Sequence, residues 1–120
     1  MDMNVHVALG NQFTSYSDSC VTISGIEYSS NIIVTNESVF DFVVKDIKQV
    51  TLENLAELLN FMPDLILFGT GVKIVYPQIE LIKTLQQRRI GVEVMPIQAL
   101  CRTFNFLVSE DRKVACILLF

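Results

Sequence analysis

The chain has 120 residues, 51% of them hydrophobic and 18% charged, with a formal net charge of −4 and a mean hydropathy of +0.44. That is one domain with ample apolar material for a core, which excludes an intrinsically disordered chain. The acidic balance counts against nucleic acid as a ligand, and no apolar run approaches the roughly 18 residues of a membrane-spanning helix.

Residues 1–20 carry no sustained periodicity and are rich in Asn, Ser, Thr and Gly, so they read as a loose N-terminal arm. The opening MDMNVHVALG lacks the basic n-region of a secretory signal, and a cytoplasmic location is expected. From Val21 the pattern turns to short β-rich runs, VTI, IEY, NIIVT and VFDFVV, separated by Ser-Gly, Ser-Ser and Asn-Glu breaks. That spacing predicts a meander of short antiparallel strands, with Phe40 and Phe42 on one inward face.

Thr51 is placed to cap a helix over LENLAELLNFM, which Pro63 stops. Leu65–Phe68 is all apolar, as a central strand buried on both faces requires, and Gly69-Thr70-Gly71 ends it. After the extended piece VKIVY, Pro77 opens a second helix with Ile79, Ile82 and Leu85 as its buried stripe and Gly91 as its left-handed cap. Val92–Met95 is the next strand. Pro96 opens the last helix, with Ile97, Leu100, Cys101, Phe104, Leu107 and Val108 on its core face, and Lys113–Phe120 closes as an apolar strand.

The unit Leu65–Met95 is a strand–helix–strand crossover, so its two strands should be parallel and joined right-handedly. The expected organisation is a single α/β domain over residues 21–120. Ligands of open α/β sheets bind at the carboxyl ends of such strands, which directs attention to the Gly69–Gly71 turn and to Met95-Pro96.

Gly69-Thr70-Gly71 matches neither G-x-G-x-x-G nor G-x-x-x-x-G-K-[ST], and no helix follows it directly. It is either a tight turn using glycine's freedom or a turn that also touches a ligand. On the last helix, Gln98, Arg102, Asn105 and Ser109 share a polar face. Arg102 could clamp a carboxylate or phosphate there with Asn105 orienting it, or could pair with Glu93 or Glu110 while Asn105 ties down a loop. Glu93 would be buried were its strand central, as a structural partner of Arg102 or as a general acid or base. Ser109–Arg112 reads as a helix end whose charges brace the turn into the final strand.

Cys20, Cys101 and Cys116 form no C-x-x-C pair, and an odd count suits a reducing compartment. Cys101 and Cys116 read as inert buried thiols. The one histidine, His6, falls in the arm, so no Ser-His or Cys-His nucleophile is expected. No grouped metal ligands are visible, and no catalytic residue, metal or cofactor is assigned.

Charge is uneven. Residues 1–64 hold nine acids against only Lys45 and Lys48, a balance of −7, while residues 65–120 hold seven bases and four acids, a balance of +3. A surface this poor in charge implies that some apolar area is covered by a protein partner, with self-association into a homo-oligomer the simplest cover.

The run Cys101–Val114, with FGTG and GVEVM before it, resembles a small domain-of-unknown-function family. That family includes mitochondrial complex I assembly factor 3 and the adipogenesis-associated domain proteins, with many short bacterial members. The resemblance covers roughly residues 20–120. Its pattern, about A-C-R-T-[YF]-N-x-L-x-x-E-x-R-x-V, is matched by Cys101, Arg102, Thr103, Phe104, Asn105, Leu107, Glu110, Arg112 and Val114. Gly69, Thr70 and Gly71 match its G-T-G, and Glu93 and Met95 its strand. Pro96-Ile97 and Leu100 depart from it.

The resemblance implies a three-layer fold around a mixed sheet of about five strands, with extra short antiparallel β structure beside two to three helices. It implies no established catalytic activity, and its mitochondrial members bind proteins during assembly of a membrane complex. The expected function is a non-enzymatic, assembly-factor-like protein-interaction module. The rival is a small-anion-binding protein or enzyme with its site in a crevice between the Gly69–Gly71 turn and the Arg102/Asn105 helix face.

Overall fold

Two runs with no charged residue, Leu65–Thr70 (β6) and Val114–Leu119 (β8), lie side by side and parallel at the middle of a five-stranded sheet. The computed structural model describes residues 10–120. The sheet order is β5-β4-β8-β6-β7, where β4 is Ile32–Val34, β5 Val39–Asp41 and β7 Gly91–Met95. β4 is antiparallel to both β5 and β8, while β7 runs parallel to β6. The sheet is therefore mixed.

Alternation along the central strands divides the core in two. Leu65, Leu67, Val114, Cys116 and Leu118 point to one face, with Ile32 and Val34. Ile66, Phe68, Ala115, Ile117 and Leu119 point to the other, with Ile33. A strand covered on both faces has no use for polar side chains, which is why these runs read as continuously apolar.

Helix α3 (Ile97–Ser109) covers the first face through Ile97, Leu100, Cys101 and Phe104. Beside it lies a separate antiparallel sheet of β1 (Phe13–Tyr16), β2 (Val21–Ile23) and β3 (Ile26–Tyr28). The second face is covered by α1 (Ala56–Asn60), α2 (Ile79–Gln87) and a 3-10 turn at Ile47–Gln49. The result is the expected three-layer α/β fold, with three helices and extra antiparallel β structure. The crossover β6–α2–β7 is parallel, as expected.

Several local expectations need correction. The arm is not loose from residue 10 onward, because Phe13–Tyr16 pairs with β2 and packs on α3, with the Phe13 and Phe104 rings edge to face at 5.2 Å. The rest of the arm, His6 included, lies outside the described residues. The predicted four-strand meander is split between two sheets, β2–β3 in one and β4–β5 in the other.

The helix expected over Leu52–Met62 is a 3-10 turn at Glu53–Leu55 followed by a five-residue α1. Asn54 turns its side chain back to accept hydrogen bonds from the Thr51 amide and hydroxyl, a local contact that competes with regular helix. On α2 the buried positions are Leu81 and Leu85, while Ile79 is exposed. At roughly 100° per residue Ile79 lies more than 100° round the helix from both. The left-handed residue ending α2 is Arg89, at φ 63°, and Gly91 instead begins β7.

Candidate functional site

The register of the five-stranded sheet lines up Asp41, Ile32, Leu118, Gly69 and Met95 in one row across all five strands. Everything just beyond that row, at the carboxyl ends of β5, β6, β7 and β8, shares one edge of the molecule. Asn31 staples this edge. Its Oδ1 accepts from the Phe120 amide at 2.8 Å, its Nδ2 donates to the Val44 carbonyl at 3.0 Å, and its backbone carbonyl accepts from the Phe42 amide at 2.9 Å.

The glycine turn belongs to this edge, and each glycine has its own reason. A Cβ on Gly69 would stand 2.8 Å from Leu100 Cδ1, so Gly69 is what lets α3 approach β6. Gly71 sits at φ 51° with open space where its Cβ would be, and its carbonyl accepts from the Ile97 amide at 2.9 Å. That bond caps an orphan N–H in the first turn of α3. The turn thus meets the first turn of α3 directly, through Leu100 and Ile97 on its core face.

The open space lies on the other side of the turn, on the α1/α2 face. A cleft of about 470 Å³ is lined by Lys45, Asp46, Ile47, Thr70–Lys73, Val75, Leu119 and Phe120. Next to it the chain leaves β6 as an extended segment that exposes Val72 (63%), Ile74 (54%) and Tyr76 (56%), with Ile79 (54%) following. Val75 and Pro77 turn inward between them.

The sequence-predicted site residues do not converge. Gly69, Thr70 and Gly71 are at the carboxyl edge. Glu93 is exposed, because β7 is an edge strand rather than a central one. Arg102 is exposed on α3 and Thr103 half-buried. Glu110 and Arg112 lie beyond the far end of α3, at the edge where the parallel strands begin. There the Arg112 carbonyl accepts from Asn36 Nδ2 at 3.0 Å, and Asp111 at φ 62° turns the chain.

Asn105 is fully occupied. Its Oδ1 accepts from the Phe13 amide at 2.8 Å and its Nδ2 donates to the Phe13 carbonyl at 2.9 Å, so it stands in for a neighbouring strand beside β1. Two turns away, Gln98 Nε2 donates to Asp18 Oδ1 at 2.9 Å. The polar face of α3 is largely the seam that holds the three-stranded sheet in place.

Burial pushes the Cys101 thiol up to about 12, with the nearby Arg102 guanidinium pulling slightly the other way. Burial, and then Cys101, push Cys116 up as well. Neither is a ready nucleophile. Among the described residues no group of three or more His, Cys, Asp or Glu is placed to hold a metal ion. Sequence reasoning missed the outward face of Val72–Ile79 and the two lysines of the cleft. The signals were there in the alternation of VKIVY and in the isolation of Lys45 and Lys48 within an acidic half.

This architecture has relatives. The chain is 33% identical over 95 residues to a protein of Francisella tularensis subsp. holarctica named "13 kDa major membrane protein", with 78% of this chain and 77% of that one covered. It is 29% identical over 107 residues to the Xenopus tropicalis NADH dehydrogenase [ubiquinone] 1 alpha subcomplex assembly factor 3. That match covers 88% of this chain but 58% of the frog protein, so the chain spans a little over half its length. Among solved structures, a Bordetella parapertussis protein superposes with a TM-score of 0.84 at 29% identity, covering 94% of this chain and 98% of its own. Residues 13–119 match the family described as "Protein of unknown function (DUF498/DUF598)", and the chain belongs to that family.

Proposed function

We propose that this protein is a non-enzymatic protein-interaction module of the assembly-factor kind, and that its docking surface is the apolar segment Val72–Ile79 at the carboxyl edge of the sheet. The observation that carries the reading is the outward exposure of Val72, Ile74, Tyr76 and Ile79 in one short stretch. Burying one such side chain is worth about 1.5–3 kcal/mol, and the fold leaves four of them in water. An exposed apolar cluster of this kind marks an interaction site. The assembly-factor name of the frog relative supports the same role.

The compartment we propose is the cytoplasm, supported by three cysteines that are all free thiols. No helix among the described residues is long and apolar enough to cross a membrane. Self-association through the same segment is the homo-oligomeric form of the proposal. Against the rival small-anion site stand the Gly71–Ile97 hydrogen bond and the two bonds that occupy Asn105.

The test is affinity purification from the native cells with wild type and with Ile74→Asp/Tyr76→Asp. Both positions are exposed, so the double variant should keep the thermal midpoint of wild type. A specific co-purifying protein, or a second copy of the chain, should be recovered with wild type and lost with the variant. Equal recovery with both, or a strictly monomeric wild type with no protein partner, would overturn the reading.

A further inference from the structure

We propose that the occupant of the exposed segment is a second copy of this chain, held by antiparallel strand pairing of Val72–Tyr76 with itself about a two-fold axis at Ile74. This rests on the reading of Val72–Ile79 as a docking surface, and adds to it the partner and the register.

The stretch is built like a strand that lacks a neighbour. Val72, Ile74 and Tyr76 are exposed while Val75 packs inward, the period of two that a strand shows. Ile74, Val75 and Tyr76 make no backbone–backbone hydrogen bond among the described residues. Both ends are nonetheless anchored. The Thr70 hydroxyl donates to the Lys73 carbonyl at 3.0 Å, Thr70 and Lys73 form a β-bridge, and Pro77 is buried. An anchored strand with free amides and carbonyls is a template for another strand.

The residue pattern selects the occupant. Gly71, at φ 51°, turns the chain at one end, and Pro77, with no N–H to donate, ends any ladder at the other. Ile74 is the midpoint of the five residues between them. Antiparallel pairing centred there sets Val72 opposite Tyr76 of the second copy, and Ile74 opposite Ile74 of the second copy. Every outward pair is then apolar, and aromatic or β-branched pairs of this kind stabilise adjacent strands.

Lys73, the only charge in the stretch, falls opposite Val75 of the second copy. Parallel pairing in register would set the two Lys73 side chains against each other, which is unfavourable. A slip of one residue would turn one apolar face away from the other. A sequence that complements itself in one register meets the requirement of an isologous interface. Five residues a side make a small interface, so the dimer belongs in the micromolar range.

Sedimentation velocity of the full chain, from about 1 μM to about 1 mM, should show a reversible monomer–dimer equilibrium. Ile74→Asp should weaken it about a hundredfold, because two carboxylates then stand opposite each other in place of two apolar side chains. Ile74 is exposed, so this variant should keep the thermal midpoint of wild type. Register is read from single cysteines in a Cys20→Ser background, oxidised with copper phenanthroline; Cys101 and Cys116 are buried. Ile74→Cys should crosslink to itself, and Val72→Cys should crosslink to Tyr76→Cys when the two are mixed, with neither dimerising alone. Crosslinking of Val72→Cys and of Tyr76→Cys each to itself would overturn the proposal, as would equal dimerisation by Ile74→Asp. So would a wild type that stays monomeric throughout. If a different protein still co-purifies with that monomer and is lost with Ile74→Asp/Tyr76→Asp, the docking surface stands and the second copy is refuted as its occupant.

Discussion

Asn105 and Gly69 show how single positions decide contacts between layers. The Asn105 amide meets both backbone groups of Phe13, and removing it would leave a part-buried N–H and C=O without partners. Asn105→Ala should therefore cost about 1–3 kcal/mol, read as a drop in urea midpoint together with faster exchange of the Phe13 amide. An unchanged midpoint with Phe13 still protected would contradict the role assigned to it. Gly69→Ala drives a methyl into Leu100, and overpacking of this kind costs about 1–3 kcal/mol. Gly71→Ala meets no neighbour and should cost about 1 kcal/mol, from backbone conformation alone. Thermal midpoints of the two variants should rank in that order, with Gly69→Ala the lower.

Elements that answer to short-range pattern were legible in the chain. β6 and β8 are uncharged and almost wholly apolar because they are covered on both faces, and α3 follows the helical period through Ile97, Leu100, Cys101 and Phe104. β1 was not legible. Its place depends on Asn105 and Phe104, which lie about 90 residues further on, and FTSY by itself carries no signal of that. The surroundings of the candidate site residues were hidden for a related reason. Sequence spacing placed Arg102 and Asn105 on one polar helix face, correctly, but could not say that the three-stranded sheet is seated against that face. The buried thiols of α3 and β8 give this scale its prediction. Folding holds Cys101 and Cys116 protonated well above the ordinary thiol value of 9.0. The contribution of Cys101 is whole below pH 9 and is lost as pH rises toward about 12, and that of Cys116 is lost in the same direction, as pH rises above 9. The urea midpoint of wild type should fall between pH 9 and 11, and should fall less in Cys101→Ala/Cys116→Ala. Equal slopes in the two proteins would contradict the burial of these groups.

At the scale of the whole molecule, four of the eight large apolar side chains exposed among the described residues, Val72, Ile74, Tyr76 and Ile79, fall in one short stretch that leaves the carboxyl edge. The amino edge is closed by Asn36, which binds the Arg112 carbonyl and the Val114 amide, and by Asn11, whose side chain binds the Thr35 and Ser38 carbonyls. At the carboxyl edge, Asn31 and the Gly71–Ile97 bond secure the backbone while Val72, Ile74 and Tyr76 stay exposed. A small domain with a well-packed interior and apolar side chains held out on a fixed edge has the character of a part that is completed by another protein. Site-specific photo-crosslinking tests this most directly, with a benzophenone side chain at position 76 and, as control, at exposed Gln87 on the far end of α2. Irradiation in the native cells should yield a discrete adduct with a protein partner or a second copy of the chain from position 76 and none from position 87. No adduct from position 76, or the same adducts from both, would contradict the account.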